Sequence, residues 1–246
     1  MELEWLNLIS SLLALVILEI VLGIDNLVFL AILTERLPQA SRRRARHFGL
    51  TFAWMTRLLL LASAVWLVRL KTPLFHCFSL SFSIRDLFLL FGGLFLIAKA
   101  TQEIHHEVEA DLDEADLVGF KKPAASFYGV VLQVGLMDII FSLDSVLTAV
   151  GLTPYFWVMA TAITIAIIIM LWASAPVSVF IEKHPTIKML ALSFLILIGV
   201  LLVADGFAFY IPRGYIYFAM GFSLGVEALN ALKRRRLKNR LIKQKR

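Results

Sequence analysis

The 246-residue chain has one cysteine, five histidines and few charged side chains, only 17% of the total. Each scarcity excludes something. A lone Cys77 rules out an internal disulfide and any thiolate-rich metal site. The charged fraction lies well below the quarter expected of a soluble domain. The N-terminus, "MELEWLNLIS", lacks a basic region and a small-residue cleavage site, so the first apolar run reads as a retained span rather than a signal peptide. A formal net charge of +6 raises the question of nucleic acid, and the placement of the basic residues argues against it.

What the chain has is apolar length. Hydrophobic residues make up 60%, the mean hydropathy is +0.83, and several runs exceed the roughly 20 residues that cross a bilayer. The expected fold is all-α, a polytopic transmembrane bundle with seven spans near 6–33, 48–69, 86–104, 126–151, 155–181, 189–211 and 214–232. One set of loops holds Arg36, Arg42, Arg43, Arg44, Arg46, Lys121, Lys122, Lys183 and Lys188, and the tail "KRRRLKNRLIKQKR" lies on the same side. The opposite side has only Arg69, Lys71, Arg85 and Arg213. Positive charge marks the cytoplasmic face, so the N-terminus is expected outside and the tail inside, against anionic lipid headgroups.

Against this background "LEIVLGIDNLVF" (18–29) is costly. Between Leu6 and Thr34 the only charges are Glu19 and Asp25, and a carboxylate at a helix centre costs about 2.5–3.5 kcal/mol on insertion scales. The arrangement recurs in "LMDIIFSLDSVLT" (136–148). Setting Glu19 on Asp138 brings Asp25 onto Asp144, Asn26 onto Ser145, and Gly23 onto Ser142. Three spans separate the copies, so the two cross in opposite directions. That is the mark of an inverted repeat, which in transporters places the substrate at the repeat interface near the midplane. The chain divides accordingly into a first three-helix repeat (1–104), an acidic cytoplasmic loop (105–125), a second, inverted repeat (126–211), a seventh helix (212–232) and a basic tail (233–246).

At 100° per residue Glu19 and Asn26 share a helix face, as do Asp138 and Ser145, whereas Asp25 lies about 120° from Glu19. Either the site is wide, or the helices unwind near Gly23 and Ser142 and free backbone carbonyls. Glu19, Asp25, Asn26, Asp138, Asp144 and Ser145 form an all-oxygen set, which suits Mg²⁺, Ca²⁺ or Mn²⁺ before Zn²⁺ or Cu²⁺. Carboxylates gathered without a cation repel one another. Arg57, within the second span, is either an internal counter-cation or a structural pair.

"LEIVLGIDN", "FSLDSVLTAVG" and "IPRGYIYFAMGFSLGVEALN" together resemble the TerC family of bacterial integral membrane proteins, and the likeness covers nearly the whole chain. The resemblance implies a seven-span inner-membrane protein related to the amino-acid and cation exporters. Its members are associated with Mn²⁺ export, with metal supply to secreted enzymes, or with tellurite resistance. Glu19, Asp25, Asn26, Asp138, Asp144 and Ser145 match the family's acidic membrane positions, and the chain resembles the compact form with no appended cytoplasmic domain.

Further polar residues are candidates for an ion path: Asp205 toward the outer end of span 6, and Glu227 and Asn230, three apart on one face, toward the inner end of span 7. "EIHHEVEADLDEAD" (103–116) reads as a solvated loop or as an acidic funnel for cations. His105 and His106 are adjacent and do not share a face. Gly92, Gly93, Gly221 and Gly225 are expected at helix contacts. The reading that follows is a divalent cation transporter with no enzymatic activity, no resident cofactor and no nucleic-acid partner. One alternative is an intramembrane aspartyl protease using Asp25 and Asp144, although "LGID" and "FSLD" are not Gly-x-Gly-Asp motifs. Another is a membrane scaffold that supplies metal.

Overall fold

A computed structural model describes residues 2–63, 73–77, 80–115, 126–153 and 155–244. Seven helices run through them: α1 (Glu2–Glu35), α2 (Gln39–Ala62), α3 (Ile84–Ala115), α4 (Phe127–Leu152), α5 (Phe156–Glu182), α6 (Pro185–Gly206) and α7 (Arg213–Gln244). Five of these contain stretches long and apolar enough to cross a membrane, and α4 adds a shorter apolar stretch, Phe127–Leu143. The architecture is an all-α polytopic bundle.

Local chemistry sets the helix ends. Pro38 precedes α2 and Pro185 opens α6, where a missing N–H costs nothing. At the start of α3, the Asp86 carboxylate accepts the Ser83 backbone N–H at 2.8 Å, and the Asp86 N–H donates to the Ser83 hydroxyl at 3.2 Å. This is a reciprocal cap. Helix α6 closes with Ala208 in the left-handed region (φ 61°) and the Phe209 N–H on the Ala204 carbonyl.

Several boundaries differ from the sequence-based expectation. The second helix begins at Gln39, because the arginine-rich stretch before residue 48 is itself helical, and residues 64–69 of the expected span lie outside the described ones. Span 6 ends at Gly206, not 211. Helix α3 carries the acidic stretch as helix through Ala115, where a loop was expected from 105; residues 116–125 lie outside the described ones. An antiparallel hairpin, β1 (Pro73–Cys77) and β2 (Leu80–Ser83), joins α2 to α3. The alternation "FSLSFS" at 78–83 has the period of a strand.

The helix contacts correspond in pairs. Under the exchange of α1 with α4, α2 with α5 and α3 with α6, the pairing of α1 on α5 becomes α4 on α2, and both are extensive. The contacts of α3 with α6, α2 with α5 and α1 with α4 map onto themselves, and α3 on α6 is the most extensive of all. Glycines permit these approaches. A Cβ on Gly93 would stand 2.5 Å from the Gly199 carbonyl oxygen, and one on Gly199 would stand 2.9 Å from the Gly93 oxygen. Gly92 sits against Ile140. Gly221 and Gly225 do not follow the expectation: nothing lies within 4 Å of a Cβ built on either, since α7 packs chiefly on α6 and leaves its other face open.

Ion pairs tie the helices at one end. Arg36 pairs with Glu103, Lys188 with Glu35 and Glu107, and Arg42 with Glu182. The end of α1, the start of α2, the end of α3, the end of α5 and the start of α6 therefore meet on one side, as alternate crossing demands.

Candidate functional site

The cluster at the centre of the bundle begins with three helices that bury polar groups on otherwise apolar faces. Helix α1 is apolar all round, as a membrane span is, and Glu19 is 1% exposed. On α2 the buried stripe is Ala45, Gly49, Leu50, Ala53, Arg57 and Leu61. Arg57 occupies a core position in a row of small and aliphatic residues. On α4, Asp138 is buried between Met137 and Ile140. Close approach of α2 and α4, at Gly135 against the Phe52 ring and Gly49 against Val134, brings Arg57 to Asp138.

Arg57 joins α1 to α4. Its Nη1 donates to Glu19 Oε2 at 2.6 Å, its Nη2 to Asp138 Oδ1 at 2.6 Å, and its Nε to the same Oδ1 at 3.2 Å. Asn26 Nδ2 donates to Asp138 Oδ1 at 3.1 Å. The Ser142 hydroxyl bonds the Asp138 backbone carbonyl and stands 3.1 Å from Oδ2, with the Thr56 hydroxyl 3.5 Å from the same atom. The Ser145 hydroxyl donates to the Ser142 carbonyl at 3.3 Å. Two acceptors remain: the Ser145 hydroxyl neighbours the Glu19 carboxylate, but Glu19 Oε1 and Asn26 Oδ1 are buried and meet no donor in hydrogen-bond geometry among the described residues. Buried oxygens are rarely left so.

Glu19, Asn26, Arg57, Asp138 and Ser145 thus gather in one place, with Ser142 and Thr56 added. Sequence reasoning used Ser142 only as the counterpart of Gly23. Its place four residues after Asp138, on the same face, was the available signal. Four carboxylates do not converge among the described residues, and no three of His, Cys, Asp or Glu there form a ready metal site. Helices α1 and α4 are both continuous, so neither unwinds near Gly23 or Ser142. Asp25 accordingly stays on a different face of α1. It lines a cavity with Ile140, Ile198, Asp205 and Tyr217, and an adjoining cavity of about 250 Å³ with Phe180, Ile187 and Leu224. Asp144 lies on α4, and its side chain is outside the described residues.

The remaining candidates are placed elsewhere. Asp205, in the last turn of α6, joins Asp25 in the first of those cavities. Glu227 accepts a 2.6 Å bond from the Thr186 hydroxyl, and Asn230 is exposed; neither takes part in the hydrogen bonds and ion pairs around Arg57. In the acidic stretch, Glu103 and Glu107 are held by Arg36 and Lys188, while His105, His106 and Glu109 are exposed.

A model of the "Integral membrane protein TerC family" matches residues 5–241. The chain belongs to the TerC family. It is 50% identical over 222 residues to "UPF0053 inner membrane protein YgdQ" of Escherichia coli strain K12, covering 90% of this chain and 92% of that one. It is 51% identical over 232 residues to "UPF0053 protein YegH" of the same strain, covering 93% of this chain and 44% of YegH. The match to "UPF0053 inner membrane protein YoaE" is 51% over 227 residues, 92% of this chain and 43% of that one. The chain thus spans nearly all of YgdQ and less than half of YegH or YoaE. No solved structure matches it. As a TerC-family chain with several apolar spans, it is a multi-pass membrane protein of the kind those names place in the inner membrane.

Proposed function

We propose that this TerC-family protein transports a divalent cation, Mn²⁺ or a similarly hard ion, from the cytoplasm outward. The supporting observation is the buried cluster at the repeat interface, with two acceptors, Glu19 Oε1 and Asn26 Oδ1, that lack donors. A cation is the partner such oxygens call for, and oxygen ligands without nitrogen or sulfur favour hard ions. Glu19, Asn26, Asp138 and Ser145 would hold the substrate. Asp25 and Asp205 would form a separate station along the path. The continuous helices favour a site made from side chains over one using unwound backbone.

The test is ion uptake into proteoliposomes, with Mn²⁺, Mg²⁺, Ca²⁺ and Zn²⁺ in competition. Glu19→Gln and Asp138→Asn keep shape and remove charge, so each should abolish uptake of the preferred ion at normal expression. Wild-type rates in either variant, or Zn²⁺ prevailing over Mn²⁺, would overturn the assignment.

A further inference from the structure

Building on the transport reading, we infer that Arg57 is a tethered substitute for the transported cation, occupying the same carboxylates when the ion is gone. The geometry carries the point. The guanidinium is 2% exposed and donates at 2.6 Å to a carboxylate from each repeat, Glu19 from the first and Asp138 from the second. A structural ion pair needs one partner and no symmetry. This one spans the interface at which an inverted-repeat carrier binds its substrate. It also leaves Glu19 Oε1 and Asn26 Oδ1 without donors, so the substitute satisfies the site only in part. An ion that takes the two carboxylates must displace the guanidinium from at least one of them.

The consequence concerns the empty carrier. Two bare carboxylates in the bundle interior resist desolvation and repel each other, so a carrier without Arg57 changes sides only when loaded. With Arg57 in place the empty site is largely compensated, and the carrier returns without a counter-ion. Arg57 therefore separates net efflux from exchange, and it weakens ion affinity because only the displaced form binds fully. If that form makes up about a tenth of the free protein, affinity is lowered about tenfold.

The probe is Mn²⁺, with no proton gradient imposed. Apparent affinity is read from thermal stabilisation in detergent. Exchange is measured in proteoliposomes with Mn²⁺ on both sides, and net efflux with Mn²⁺ inside only. Arg57→Gln should bind Mn²⁺ about tenfold tighter, exchange it, and lose net efflux. Arg57→Lys keeps the charge on a group that cannot span both carboxylates as a planar fork, so it should bind tighter than wild type and retain net efflux. Unchanged or weaker binding in Arg57→Gln, or net efflux persisting beside exchange, overturns the inference. Should Arg57→Gln not fold, Arg57→Lys decides: affinity no tighter than wild type overturns it equally. A wild-type protein that neither binds nor exchanges Mn²⁺ removes the transport reading itself, a result distinct from both.

Discussion

The unequal hold of Arg57 on its two partners can be measured. Asp138 receives Nη2 at 2.6 Å and Nε at 3.2 Å, whereas Glu19 receives Nη1 alone at 2.6 Å. A hydrogen bond to a charged group contributes about 1.5–3 kcal/mol, and removing one partner of a buried ion pair costs about 3–5 kcal/mol. The coupling of Arg57 with Asp138 should therefore exceed that with Glu19 by up to one further hydrogen bond to a charged group, about 1.5–3 kcal/mol. The perturbations are Glu19→Gln, Asp138→Asn and Arg57→Gln, alone and in the two pairs that include Arg57. The assay is reversible unfolding in detergent micelles, analysed as two double-mutant cycles. Arg57→Gln should be the least stable single variant, because it strands two buried carboxylates. Adding Asp138→Asn to it should restore part of the loss. Additive cycles, or a coupling to Glu19 equal to that of Asp138, would refute the geometry.

A packed glycine and an open one should respond oppositely. Gly93→Ala puts a Cβ against the immovable Gly199 carbonyl and should cost about 1–3 kcal/mol. Gly221→Ala meets open space within a helix and should be neutral or stabilising by up to about 1 kcal/mol in the same melts. Ala208→Gly should raise the unfolding midpoint, since the left-handed conformation costs a non-glycine residue about 1–2 kcal/mol. No rise would mean that the turn after α6 tolerates the side chain without strain.

The helices were legible because apolar length dictates them, and Glu19 and Asp138 stood out because a carboxylate in such a run is expensive. Arg57 was only half legible. Its cost was visible, but its partners depend on α2 packing against both α1 and α4, which spacing along one helix cannot reveal. Asp25 was legible as a costly carboxylate, but not its distance from Glu19. The motif places it six residues away, which left either a wide site or an unwound helix; α1 is continuous, so the two stand on separate faces. The helical acidic stretch escaped because its partners, Arg36 and Lys188, come from distant parts of the chain. Gly221 and Gly225 fit a packing pattern, but small-xxx-small spacing says nothing about whether a neighbour is present.

The separation of Asp25 from Glu19 leads to a last expectation. No hydrogen bond or ion pair joins Asp25 to another described residue, and the adjoining cavity of about 250 Å³ is lined mainly by aliphatic and aromatic side chains. A carboxylate in such surroundings needs water, and that volume holds several molecules. Glu19 is instead closed off by Arg57 and is 1% exposed. Water should therefore reach Asp25 and not Glu19. With Cys77 replaced by serine, a single cysteine at position 25 should react with a small membrane-impermeant thiol reagent, and one at position 19 should not. Reaction confined to the side where Asp205 lies would identify the cavity it shares with Asp25 as the open path; reaction from the side of the Lys188 ion pairs would identify the larger cavity. Labelling at 19 with protection at 25 would refute the two-station arrangement, because it would put the water at the guanidinium and leave the unpartnered carboxylate dry.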